Sequence, residues 1–295
     1  MIATIAPRAP RRPSYARLVV TQVRYQTMLL IRSPAGAFFA LVMPVMILAA
    51  LEFLHGQQSI AGVSAAQFFT AAMIAFAVMN AGYITTITGT VIARDDGILK
   101  RLHGTPLPPS AYFAGRIGAA ALTTALAVVA VMLVGLAFYR IHIDAPLIGA
   151  MVLTVIVGVL CFSSVGLAAT VLVGSTDVAL PMAYGSLLPL CFVSDVFLPT
   201  GGAPAWLSTA TSVFPVKHLA DALESIFVAT PGSAVLSGTD LWVMIGWAAG
   251  ALAVTVLFFQ WEPRPAGPGI RGRLGKVLKR LHVRLASMRR AFRQS

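Results

Sequence analysis

The chain has 295 residues, 58% of them apolar and 11% charged, with a net charge of +12 and a mean hydropathy of +0.83. A soluble globular domain carries about 25% charged residues, so most of this chain is made for lipid or other apolar surroundings. Cys161 and Cys191 both fall in apolar stretches without paired spacing, which argues against a disulfide framework or a zinc site and for plain packing.

Six arginines (Arg8, Arg11, Arg12, Arg17, Arg24 and Arg32) precede the first long apolar run, which starts near Ala35. That is too far along for the core of a cleavable signal, and the run is expected to be an uncleaved first span. On a helical wheel Arg17, Arg24 and Arg32 share a narrow sector, with Val19, Val23 and Leu30 roughly opposite. The segment reads either as a helix lying in the inner interface with its arginines toward anionic headgroups, or as a positive-inside anchor.

A helix needs about 20 mostly apolar residues to cross a hydrocarbon core. Six stretches qualify: Ala35 to Leu54, Gln67 to Ala93, Ile117 to Tyr139, Leu147 to Val173, Val178 to Phe197 and Leu241 to Trp261. The only acids touching them, Glu52 and Asp195, sit at their ends. Pro181, Pro189 and Pro199 leave open whether the fifth stretch crosses fully or turns back. With both termini in the cytoplasm, six spans place every basic residue except Arg140 and Lys217 on the inner side, as the positive-inside rule requires.

The chain therefore divides into residues 1–34, a cytoplasmic N-terminus with an amphipathic helix; 35–262, the six-span region; and 263–295, a basic cytoplasmic tail. Between the second and third spans runs Arg94-Asp-Asp-Gly-Ile-Leu-Lys-Arg-Leu-His-Gly-Thr-Pro-Leu-Pro-Pro109, followed by Ser110 to Arg116. A short helix through Lys100 and Arg101, stopped by Gly104, Pro106, Pro108 and Pro109, would make a rigid charged knuckle suited to receiving force from a soluble partner. In the external connection from Pro199 to Asp240, Val216, Leu219, Ala220, Leu223, Ile226 and Phe227 share one helical face and Lys217, Asp221 and Glu224 the other. Such a helix lies flat at the outer surface or dips back in. In the tail, Leu274, Val277, Leu278, Leu281, Leu285, Met288 and Phe292 form one stripe among basic residues, the pattern of a helix on the inner leaflet.

Some chemistry is missing. Gly275-Lys276 is followed by Val277 and lacks the glycine of a P-loop, so this chain has no phosphate cradle of its own. There is no HExxH, no GxSxG and no His and carboxylate cluster. The expected span centres carry no ionisable group, whereas ion-coupled carriers need one at mid-membrane. Driving force from another subunit is the leading reading; an ion- or proton-coupled carrier and a non-transporting membrane scaffold are the alternatives.

The stretch Arg94 to Leu107 resembles a pattern of the ABC-2 type permeases: charged residues, Gly-Thr-Leu, a basic residue with Leu, then Thr-Pro-Leu, with Ile98 here in place of the usual Thr. Phe214-Pro-Val-Lys-His-Leu-Ala-Asp-Ala-Leu is similar to that family's Asn-Pro-aliphatic stretch before the last span, with Phe214 in place of Asn. The resemblance implies an all-α integral membrane protein with six transmembrane helices, an N-terminal amphipathic interfacial helix, a cytoplasmic coupling loop and an external helical segment before the last span. It implies that Arg94, Asp95, Asp96, Gly97, Lys100, Arg101, Leu102, Thr105 and Pro106 couple to a separate ABC ATPase subunit that binds ATP and Mg. It further implies that a second permease copy or paralogue completes the path, with Pro215, Lys217, Asp221 and Glu224 near its outer mouth. Membrane lipids are the other expected partner, and nucleic acid and cofactors are not expected. The Ala/Gly-rich character resembles antibiotic-resistance permeases of the bacterial plasma membrane more than polysaccharide ones.

Overall fold

The computed structural model describes residues 13–56, 58–60, 62–194, 196–197, 205–228 and 237–262. The expected tail helix of residues 263–295, together with Pro199 and Asp195, lies outside the described residues.

Helix α1 (Tyr15–Ile31) starts at Ser14, whose hydroxyl accepts from the Arg17 amide at 3.4 Å. Six helices are long and apolar enough to cross a membrane: α2 (Pro34–His55), α3 (Ala65–Asp95), α5 (Pro109–Tyr139), α6 (Ala145–Ala169), α7 (Thr176–Val193) and α10 (Gly238–Phe258). Between them stand the short helix α4 (Ile98–His103), α8 (Ala205–Thr211) and α9 (Pro215–Val228). A hairpin of two-residue strands, β1 (Ser59–Ile60) and β2 (Val63–Ser64), links α2 to α3.

Two expectations change. Ser110 to Arg116 belongs to α5 and not to the loop, because Pro109 occupies the first helical position, where its missing N–H costs nothing, and Ala111 and Tyr112 are buried. Helix α7 runs unbroken through Pro181 and Pro189 but ends at Val193; at about 1.5 Å per residue its 18 residues still approach a bilayer's core thickness.

Helix α3 is the centre of the bundle: 94% of its apolar window is buried, against 22–33% for the other five crossing helices. Both α2 and α3 are interrupted by one π-helical turn, at Phe38–Val42 and Asn80–Ile84. The two turns are linked. In the π register the Phe39 carbonyl would accept from residue 44, which is Pro44 and has no N–H; the buried Asn80 amide of α3 donates to that carbonyl instead, at 2.7 Å. In an apolar medium such a freed carbonyl needs a partner.

Helix α9 does not lie flat. Its apolar face packs against α3, α6 and α10 with Val216, Leu219, Leu223, Ile226 and Phe227 all buried. A Cβ at Gly158, near the middle of α6, would meet Leu219 at 2.9 Å and Val78 of α3 at 3.0 Å, so α9 reaches the mid-level of the bundle. At its other end Gln67 Nε2 donates to the carbonyls of His142 at 2.6 Å and Phe227 at 2.9 Å, tying α9 to the start of α3 and the α5–α6 connection.

Candidate functional site

The knuckle is built where α3 ends. Gly97 turns the chain with φ +69°, a left-handed conformation that glycine adopts without penalty, and α4 follows at once. Leu99, fully buried, anchors α4 to the bundle, while Lys100, Arg101, Thr105 and Pro106 face outward with Asp96; Asp95, Gly97 and Leu102 are half-buried. Thr105 Oγ1 donates to the Leu102 carbonyl at 2.6 Å and closes the helix end.

Arg94 departs from expectation. It is 1% exposed, and its guanidinium donates to the carbonyls of Thr170 at 3.0 Å and Val173 at 2.7 Å, just past the end of α6. A cation suits that position because the last carbonyls of a helix carry partial negative charge. The next residue does the converse: Asp95 Oδ2 accepts from both the amide and the hydroxyl of Thr176, each at 2.8 Å, at the start of α7. Arg94 and Asp95 thus pin the α6–α7 turn to the root of the knuckle from both sides.

A third tie comes from the end of α10. Trp261 lies 5.4 Å from the His103 ring and 5.7 Å from Tyr112, and Phe259 lies 5.0 Å from Phe113. Glu262 pairs with Lys100 at 3.5 Å, an exposed ion pair that adds little stability. On α9, Lys217 pairs with Asp221 at 3.2 Å, Glu224 is half-buried and Pro215 is buried at the helix start. His218 bridges Asp240 Oδ1, at 2.6 Å from Nδ1, and the Ser212 carbonyl, at 2.8 Å from Nε2. Residues 17–228, from α1 to the end of α9, match the ABC-2 type transporter family.

The chain belongs to that family.

It is therefore a multi-pass membrane permease subunit whose ATP is handled by a partner ATPase subunit, and not an ATPase itself. No curated protein matches the sequence. Among the described residues no group of three or more His, Cys, Asp or Glu is placed to hold a metal ion, and Cys161 and Cys191 are buried free thiols.

The permease also has a polar seam between α1, α3 and α5. Helix α1 turns Val23 toward α5 and Leu30 toward the start of α2, and Gln22 and Gln26 are buried against α5 beside Val23. Gly115 and Gly118 of α5 make room: a Cβ at Gly118 would meet Val23 at 2.6 Å, and one at Gly115 would collide with Gln22. Between α1, α3 and α5 lies Arg116, 9% exposed, donating to Gln26 Oε1 at 3.0 Å and to the carbonyls of Thr85 at 3.2 Å and Thr86 at 3.4 Å. The only sequence signal for it was a basic residue eight positions inside a helix that starts at a proline.

Proposed function

We propose that this permease exports a lipophilic substrate, drug-like, antibiotic-like or lipid-like, out of the cytoplasm or the inner leaflet of a bacterial plasma membrane. Both termini are in the cytoplasm in this reading, an orientation supported by the three basic clusters that it leaves inside. The ATPase subunit docks on α4 through Asp96, Gly97, Lys100, Arg101, Leu102, Thr105 and Pro106, while Arg94 and Asp95 carry the movement inward. One observation carries the reading: α4 meets Trp261, just past α10, through His103, and the end of α3 from which it springs is hydrogen-bonded to the ends of α6 and α7, so a push on it is not absorbed by a loose loop.

A second copy or paralogue faces the first across the substrate path. Support comes from the five outer helices, which leave most of their apolar windows uncovered. The path's outer mouth lies beside α9 and its Pro215, Lys217, Asp221 and Glu224. An apolar lining without mid-span charge favours lipophilic cargo.

The test is to co-purify the tagged permease with its ATPase subunit before and after Lys100→Glu together with Arg101→Glu. Both side chains are exposed, so the expected result is normal insertion and unfolding midpoint with loss of the ATPase from the purified complex and of ATP-driven efflux. Undiminished association and efflux would refute the docking assignment.

A further inference from the structure

We infer that the cavity beneath α1 binds the anionic headgroup of an inner-leaflet amphiphile, with Arg116 receiving its negative charge. The inference deepens the proposed function by naming a substrate class, and it takes its orientation from that reading. The cavity, of about 370 Å³, is lined by α1, the start of α2, the second half of α3, Ile98 of α4 and α5, and falls within the range of about 300–1,000 Å³ usual for small-molecule sites.

Arg116 is a permanently charged group in a helix that crosses the membrane, yet among the described residues no carboxylate lies within ion-pair reach of it, and its three hydrogen bonds there all go to neutral oxygens. One edge of the guanidinium comes up against Gly89, where any Cβ would collide with it. Its Nε and the Gln26 Nε2 beside it are buried and have no hydrogen-bond partner among the described residues. A buried cation without an anion is costly, and in membrane proteins such a group faces a partner or a ligand path. Here neutral dipoles hold the charge in a fixed place next to an open volume. That arrangement preorganises a receptor for a phosphate or carboxylate, which a guanidinium grips through paired donors.

The order of groups along the walls matches an amphiphile standing in the inner leaflet. Exposed Asp96 lies at the mouth, Arg116 comes next, and Ala120 and Thr123 follow deeper along α5. Exposed Leu29 and half-buried Leu30 of α1 supply an apolar flank. Asp96 opposes a second negative charge at the mouth, so the headgroup that fits carries one anionic group at the depth of Arg116 and neutral or cationic atoms outside it.

The probe is a short-chain fluorescent phosphatidylglycerol titrated onto the purified full-length permease in neutral detergent, with the matching diacylglycerol and inorganic phosphate as comparison ligands. Saturable phosphatidylglycerol binding is expected, weakened about tenfold or more by Arg116→Gln and partly restored in Arg116→Lys, with diacylglycerol not binding. Because Arg116 also joins three helices, Thr88→Phe provides a second variant. Thr88 lines the cavity, and its hydroxyl bonds only to the Ile84 and Thr85 carbonyls of its own helix, so the added ring fills the volume and leaves the Arg116 bonds in place. It too is expected to lose about tenfold or more. Affinity within about twofold of the parent in Thr88→Phe, equal binding of diacylglycerol, or binding of inorganic phosphate alone would each overturn the inference. The readout is binding to the permease without its ATPase, so a failed docking experiment leaves it standing, and its own failure leaves the docking assignment standing.

Discussion

Arg94 and Asp95 are adjacent in the chain and serve opposite helix termini, the cation at the end of α6 and the anion at the start of α7. The family resemblance made Arg94 look like a docking residue; it is buried and reaches the carbonyls at the end of α6. Arg94→Met removes two charge-assisted hydrogen bonds, each worth about 1.5–3 kcal/mol, and leaves the Thr170 and Val173 carbonyls to find other partners. A clear fall in the unfolding midpoint is expected in a thermal assay of the purified permease, in contrast to the unchanged midpoint expected for the exposed Lys100 and Arg101 reversal. Equal midpoints for Arg94→Met and the parent would show that these bonds contribute nothing. The sequence could not reveal this difference, because the partners of Arg94 and Arg116 lie 76 and 90 residues away and neither position differs locally from a solvated loop arginine.

At the scale of elements, the interrupted helices α2 and α3 form one unit through Asn80 and the Phe39 carbonyl. Asn80→Ala is expected to cost about 0.6–2 kcal/mol, the range measured for hydrogen bonds between membrane helices. In a Pro44→Ala background residue 44 regains an N–H for that carbonyl, so the cost of Asn80→Ala should shrink in a double-mutant cycle read by thermal unfolding. Additive effects would contradict the pairing. The six crossing helices were legible from the sequence because apolar runs of the required length announce themselves whatever they pack against. The boundary of α5 was not, since Pro108 and Pro109 look like a stop until the second of them proves to be a helix's first residue. Nor was the insertion of α9: an amphipathic wheel is the same for a helix resting on a surface and for one with its apolar face sunk among α3, α6 and α10. Gly158, a gap at mid-helix that Leu219 and Val78 approach, carried the missing information.

For the whole molecule, three groups of contacts converge on one end of the bundle: the ends of α3 and α6, the start of α7, and the aromatic cluster closing α10 over the start of α5. The absence of a P-loop and the membership in the ABC-2 type transporter family agree that energy comes from a separate ATPase. The buried cation Arg116 sits near the start of α5 and away from mid-span, where an ion-coupled carrier would hold its charge. The central claim is that this chain moves nothing uphill by itself. Its most direct measurement is accumulation of a lipophilic fluorescent dye in proteoliposomes holding the permease with or without its ATPase subunit, with ATP or with an imposed proton gradient. Accumulation only with both the ATPase and ATP is the predicted result; uphill movement by the permease alone under the proton gradient would contradict it.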